Sequence, residues 1–214
     1  SSSAASDVYK RQDVRTVPKS LLGGKMIILA TNNKGKVKEI KELLNDQEIK
    51  TLKEMNIKID IEEDGDTFEE NALKKAREIY KLTNTPCIAD DSGICIKELN
   101  GFPGVKTARF LGDNASQEER NNYLIEKLKG KPKEKRKVNF ITCIAYINKN
   151  GEEKTFTGVL EGYIAENPRG DNGFGFDEIF ELEDGRTLAE LDSEEKNSIS
   201  SRKIALKKLK EYII

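Results

Sequence analysis

The sequence predicts an α/β fold with a central mixed, twisted sheet and flanking helices. Two observations carry this: strand-like apolar runs alternate with helix-period segments in the first half, and two long strand-like runs flank a tight turn in the second. Parallel strand-helix units followed by a hairpin make a mixed sheet. The chain has 214 residues, 36% hydrophobic and 35% charged, with a formal net charge of -1. Such a balance leaves a lean core under a heavily charged surface and gives no basic footprint for a long polyanion. No run reaches the length of a membrane span or a signal-peptide core. Neither nucleic acid nor membrane is therefore expected as a partner, and the cytoplasm is the expected location.

Residues 1–25 are expected to lie outside the fold, as a translated adaptor or a disordered extension, because Ser1 to Gln12 has no apolar periodicity. The domain is expected at 26–214. Met26 to Thr31 reads as a buried strand, and Val37, Ile40, Leu43 and Leu44 then recur at helical spacing. Residues 49–61 alternate only weakly. Thr67 opens a second helix running to about Leu82, with Phe68, Leu73, Ala76 and Tyr80 near one face. Pro86 to Ala89 reads as a strand, Asp90-Asp91-Ser92-Gly93 as a bend, and Asn100 to Gly104 as a turn-rich loop. Ser116 with Glu119 forms a capping-box pattern that starts a third helix, ending near Gly130. Val138 to Ile147 and Thr155 to Ala165 flank the turn Asn148 to Gly151, which predicts a hairpin. A glycine-rich loop from Pro168 to Gly175 and a short strand from Glu178 to Leu182 follow. Two helices close the chain from Ser193, the last from about Ser201 to Tyr212.

The chain contains no histidine. Proton transfer therefore falls to a carboxylate, Lys, Tyr or Cys, and any metal is a hard, oxygen-ligated ion. Cys87, Cys95 and Cys143 are an odd set without paired spacing and read as reduced core thiols. Asp90, Asp91 and Ser92 stand at the end of a buried strand, where α/β folds build sites. Lys34 and Lys36 start a helix, where the macrodipole disfavours cations by about 0.3 to 1 kcal/mol each, so the placement calls for an anion. With free amides, Gly35 and the side chains of Thr31 and Asn33, the turn is a phosphate cradle or an ordinary solvated turn. It lacks the G-x-x-x-x-G-K-[ST] order of a Walker loop.

Glu70 carries two readings. Thr67 to Glu70 is a capping-box pattern, with Glu70 bonding back to the Thr67 amide. Alternatively, Glu70 with Asp90 or Asp91 supplies the one or two carboxylates that Mg2+ takes beside a triphosphate. Asn71 and Lys75 are its near neighbours on the helix. Gly173-Phe174-Gly175-Phe176-Asp177 has the wrong order for a dinucleotide loop and no helix after it. It is aromatic core or a base platform, with Phe174 offering a π face and Asp177 an acceptor. Arg202 and Lys203, in the first turn of the last helix, call for an electron-rich partner.

Taken in order, TNNKGK, TFEENALKKA, ADDSG, NGFPGVKTARF, GFGFD and AELDSEEKNSISSR make the chain resemble the inosine/xanthosine triphosphate pyrophosphatases, from Met26 to the C-terminus. The resemblance implies a mixed-sheet α/β fold in two lobes with the site in the cleft between them, a homodimer, and Mg2+ as cofactor. It implies hydrolysis of ITP, dITP and XTP to the monophosphate and pyrophosphate. It further implies that Thr31, Asn33 and Lys36 bind phosphate, with Asn32, Lys34 and Gly35 in the same turn. Glu70 and Asp91 would hold the metal, Asp91 would be the general base, and Lys75 and Ser92 would contact substrate. Phe174, Gly175, Phe176 and Asp177 match the base-binding loop, and Lys196 and Arg202 match late substrate contacts. A donor-only guanidinium at Arg202 suits the 6-carbonyl of hypoxanthine or xanthine and rejects the 6-amino group of adenine. The chain departs from the family at Ser201, usually histidine and also assigned to substrate here, at Phe176, usually Tyr or Trp, and at Glu178, usually Pro. Two other readings share these residues: a house-cleaning pyrophosphatase for modified pyrimidine nucleotides, and a catalytically silent nucleotide-binding module. Intact Asp91 and Glu70 speak against silence.

Overall fold

The computed structural model describes residues 26–213, so the expectations for residues 1–25 lie outside the described residues. Strands β1 (Met26–Leu29), β2 (Glu48–Thr51), β3 (Cys87–Ile96), β4 (Lys137–Ile147), β5 (Glu153–Ile164) and β6 (Phe180–Glu181) form one sheet in the order β2-β1-β3-β4-β5-β6. β1 pairs parallel with β2 and β3, and the remaining pairs are antiparallel. The sheet is mixed, as the sequence predicts. Helices are α1 (Lys34–Leu43), α2 (Phe68–Thr83), α3 (Gln117–Lys127), α4 (Ser193–Ile199) and α5 (Ser201–Ile213). The first four begin at Asn33, Thr67, Ser116 and Asp192, whose side chains each accept from the amide three residues on. Such caps satisfy amides that the helix itself leaves free.

α2 covers one face of the sheet, packing Ala72, Ala76 and Ile79 against Cys87, Ala89, Cys143 and Ala145. α1 and α5 cover the other, with Ile40, Leu44, Leu206 and Leu209 on Ile27, Leu29, Ile88 and Ile144. A third cluster gathers Ile94, Ile96, Leu124, Leu128, Phe176 and Phe180. Each fully buried Leu or Ile contributes roughly 1.5 to 3 kcal/mol. Side chains alternate across a strand. Cys87, Ala89 and Asp91 therefore face α2, whereas Ile88, Asp90 and Ser92 face α1 and α5.

Three elements differ from the sequence reading. β3 runs through Asp90-Asp91-Ser92-Gly93, where a bend is predicted, in unbroken register with β4 from Cys87 opposite Ile147 to Ile96 opposite Val138. Ten ladder positions override the turn preference of four residues. β2 emerges from the weakly alternating stretch because Ile49 packs beside Ile27 at the sheet edge. The strand expected over Glu178 to Leu182 shortens to Phe180–Glu181, with the Glu178 carboxylate taken by Asn121 at 2.7 Å. Cys87 and Cys143 are buried free thiols, pushed up by burial to about 12 and about 11. Cys95, expected in the core, is only half-buried. No helix among the described residues is long and apolar enough to cross a membrane.

Candidate active site

A cavity of about 350 Å3 lies between the β1–α1 turn, the middle of β3, the 173–177 loop and the start of α5. That volume suits a small-molecule ligand. It brings together Thr31, Asn32, Asn33, Lys36, Lys75, Asp91 and Ser92 from the first half of the chain. From the second half it takes Phe174, Gly175, Phe176, Asp177, Lys196, Ser201 and Arg202. Lys34, Gly35 and Glu70 are not among the lining residues. Lys34 and Gly35 instead line a neighbouring cavity of about 360 Å3, shared with Phe174 and Lys196.

On the α2 side, Lys75 Nζ sits 2.6 Å from Glu63 Oε1 and 3.8 Å from Asp91 Oδ1. Burial pushes the Asp91 carboxyl up; Lys75 pulls it down and the negative Glu63 adds to the rise. Burial works against the Lys75 charge, but Asp91, Asp90 and Glu63 outweigh it and the ammonium is pushed up. Asp91 is thus a poised proton acceptor beside a fixed cation. Its Oδ2 is buried without a hydrogen-bond partner.

Glu70 is placed elsewhere. Thr67 Oγ1 accepts from the Glu70 amide at 3.1 Å, but Glu70 Oε2 accepts from the Asp66 amide at 2.7 Å, not from Thr67. The cap is therefore half of the box expected, because the chain before Thr67 folds back over the helix N-terminus. With its carboxylate so engaged and exposed, Glu70 is not among the residues that line the cavity, whereas Glu63 lines it beside Lys75. Sequence reasoning missed Glu63, since Glu62-Glu63-Asp64 reads as a solvated acidic loop. The available signal was a carboxylate run directly before the TFEEN helix.

On the opposite side of β3, Lys36 Nζ and Arg202 Nη2 each lie 3.1 Å from the same oxygen, Asp90 Oδ2. Arg202 also donates to Ser92 Oγ at 3.1 Å and, through Nη1, to Glu39. Glu39 accepts from Lys196 Nζ at 2.5 Å, and Lys196 donates to Asp177 Oδ2 at 2.5 Å. The result is a chain of alternating charge: Lys36, Asp90, Arg202, Glu39, Lys196, Asp177. Burial opposes the Asp90 charge, yet Lys36, Arg202 and Lys75 hold its carboxyl well below the usual range. Burial lowers Lys36 against the pull of Asp90, and raises Asp177 against that of Lys196. The electron-rich partners called for at Arg202 are Glu39 and Asp90 of the protein itself. Glu39 went unrecognised because nothing local separates it from Glu42 on the same helix.

Lys196 Nζ stands 4.6 Å from the Phe174 ring centroid, a cation–π contact. The ring rests on α1 where Gly35 has no side chain, since a Cβ there would meet ring carbons at 2.5 to 2.7 Å. The absence of a side chain at Gly35 therefore admits the Phe174 ring against α1. Phe176 is buried and stacks on Phe110 at 6.4 Å, so it belongs to the core as well as to the cavity wall. Ser201 is buried, with its Oγ 2.7 Å from Thr142 Oγ1, which ties α5 to β4.

The Ham1 family profile matches residues 27–212. The chain belongs to the Ham1 family. A dITP/XTP pyrophosphatase of Thermoanaerobacter sp. (strain X514) is 49% identical over 191 residues, covering 88% of this chain and 96% of that protein. The dITP/XTP pyrophosphatase of Bacillus subtilis (strain 168) is 46% identical over 192 residues, covering 88% and 97%. Among solved structures, a HAM1 protein from Coxiella burnetii matches with a TM-score of 0.79 at 44% identity, covering 88% of this chain and 98% of that one. A nucleoside-triphosphatase / dITP/XTP pyrophosphatase from Mycobacterium abscessus matches with a TM-score of 0.70 at 39% identity, covering 86% and 98%. In this Ham1 chain the site offers the Lys75 ammonium and an unpaired carboxylate oxygen on the α2 side of β3. On the other side it offers the Lys36 ammonium, an aromatic ring and a guanidinium.

Proposed function

We propose that this protein hydrolyses non-standard purine nucleoside triphosphates, ITP, dITP and XTP, to the monophosphate and pyrophosphate. The observation that carries the reading is one cavity lined by Lys36, Lys75, Glu63 and Asp91 together with Phe174, Lys196 and Arg202. The first set suits a polyphosphate and the second a base. Separate core clusters, one around α2 and one around Ile94, Phe176 and Phe180, support reading the cavity as a cleft between two lobes.

The ion pairs around the cavity set four cations, Lys36, Lys75, Lys196 and Arg202, against five carboxylates, Glu39, Glu63, Asp90, Asp91 and Asp177. A triphosphate adds further negative charge, so a divalent cation fits the electrostatics. The donors fit as well: Asp91 Oδ2 is an orphaned buried oxygen, and Glu63 repels Asp91 across Lys75. Asp91 and Glu63 would hold Mg2+, a hard ion that takes one or two carboxylates. When bound, it supplies positive charge to the phosphate oxygens.

The remaining chemistry belongs to the chain. Lys36 and Lys75 bind phosphate oxygens, and Asp91 takes the proton from the water that opens the α–β anhydride. Phe174 stacks on the base, and Arg202 donates to a 6-oxo group, which favours hypoxanthine and xanthine over adenine. The reading extends to a cytoplasmic homodimer on the strength of the family resemblance, and sedimentation of the purified chain tests the dimer. Product analysis of ITP, dITP, XTP, ATP and dUTP reactions tests the activity. Monophosphate and pyrophosphate from the first three are expected, whereas diphosphate and orthophosphate would overturn the reading. Asp91→Asn should lower kcat by at least about a hundredfold while the protein still binds nucleotide.

A further inference from the structure

We infer that Arg109 is a positioning residue that holds Glu63 beside Lys75 and in the field of Asp91. This rests on the metal reading of the Glu63–Asp91 pair given above. Residues 57–64 have neither helix nor strand, so the Glu63 carboxylate is only as fixed as the few bonds around it. On one side those bonds go to α2: Gly65 N to Asn71 Oδ1 at 2.8 Å, Asp66 N to Glu70 Oε2 at 2.7 Å, Lys74 to Asp64 at 2.6 Å and Lys75 to Glu63 at 2.6 Å. On the other side there is Arg109, which donates through Nη1 to the Glu63 backbone carbonyl and through Nη2 to the Val105 carbonyl at 3.4 Å. Among the described residues it makes the one hydrogen bond that ties residues 62–66 to a segment beyond α2.

The arginine has a firm base to act from. Thr107 Oγ1 accepts from the Ile94 amide of β3 at 3.2 Å and donates to the Gly104 carbonyl at 2.5 Å. Just beyond, buried Arg120 of α3 donates to the carbonyls of Phe110, Gly112 and Ala115 at 3.0, 2.8 and 2.7 Å. Arg109 thus stands between two clamps and passes the position of β3 and α3 to the loop that carries Glu63. A planar guanidinium reaches two carbonyls at once, which a lysine ammonium does less well. Because Arg109 is itself exposed, its removal frees the loop without opening the core.

The test uses the full chain and its Arg109→Ala and Arg109→Lys variants, titrated with MgCl2 without nucleotide and followed by Tm, then assayed for the Mg2+ dependence of kcat. Arg109→Ala should keep the metal-free Tm, need about 10- to 100-fold more Mg2+ for the half-maximal rise, and recover kcat when Mg2+ saturates. Arg109→Lys should fall between wild type and Arg109→Ala. A wild type whose Tm and kcat both ignore Mg2+ overturns the metal reading and this inference with it. A wild type that responds while both variants respond at the same Mg2+ concentration overturns the inference alone. So does a kcat deficit that saturating Mg2+ leaves in place, since positioning of a metal ligand is then not what was lost.

Discussion

The Glu70 carboxylate closes a turn with the Asp66 amide, while the Glu63 carboxylate lies beside Lys75 and in the field of Asp91. Glu63→Gln should therefore raise the Mg2+ requirement by at least about tenfold. Glu70→Gln, still able to accept from an amide, should cost under about 1 kcal/mol of stability and leave the Mg2+ requirement unchanged. Exchanged outcomes would return the metal role to Glu70. Ser201 is a different case, because its hydroxyl is already bonded to the fully buried Thr142. Ser201→Ala leaves that partner without its bond and should lower stability by about 1 to 3 kcal/mol, with little change in kcat/KM for dITP. A selective loss of kcat/KM at unchanged Tm would instead put Ser201 on the substrate. Most candidate residues were legible because their types and order are informative: lysines against a helix dipole, and paired aspartates on a buried strand. Glu39 was not, since its partner Arg202 is distant in sequence and nothing local announces the pairing, and Glu63 was not, since a carboxylate run before a helix is equally the pattern of a solvated loop.

α5 carries Arg202 into the site, and it reaches that position by lying against β5 at Gly158. A Cβ on Gly158 would meet the Ser201 carbonyl oxygen at 2.0 Å and the Ala205 amide nitrogen at 2.8 Å, so any side chain there must push the helix away. Gly158→Ala should cost about 1 to 3 kcal/mol of stability. It should also lower kcat/KM for dITP, because Arg202 would move off Asp90, Ser92 and Glu39 together. A folded Gly158→Ala protein with unchanged Tm and kcat/KM would show that this contact does not seat α5. The helices and the β4–β5 hairpin were readable because caps and a four-residue turn mark their ends. β3 was read too short for the opposite reason: Asp90-Asp91-Ser92-Gly93 has turn chemistry, and only the ladder to β4 with cations on both faces makes it strand interior. β2 has four residues at a sheet edge and too little pattern to stand out.

For the molecule as a whole, the alternating chain from Lys36 to Asp177 joins α1, β3, α5, α4 and the 173–177 loop through side chains alone, so folding and site assembly share the same charges. Asp90 is its fully buried centre, ion-paired with Lys36 from α1 and Arg202 from α5 and in the field of Lys75 across the sheet. Its folded-state pKa lies below the unfolded value of about 3.9, so its stabilisation is present above that pH and is lost as pH falls through the folded value. Asp91 and Asp177 have raised folded values and act in the other sense, their contribution being full in acid and lost as pH rises. Asp90→Asn should therefore lower stability near pH 7 by about 3 to 5 kcal/mol, because Lys36 and Arg202 lose their shared counter-charge in a buried site. Below about pH 4 the deficit should shrink steadily, because Asp90 of the unfolded wild-type chain takes up a proton there while folded Asp90 stays ionised until the pH reaches its lower folded value. Tm measured for both proteins between about pH 7 and pH 2 decides it. Curves that converge in acid identify Asp90 as the acid-sensitive centre of the network. A gap that stays constant down to the lowest pH would mean that the loss comes from altered packing and not from charge.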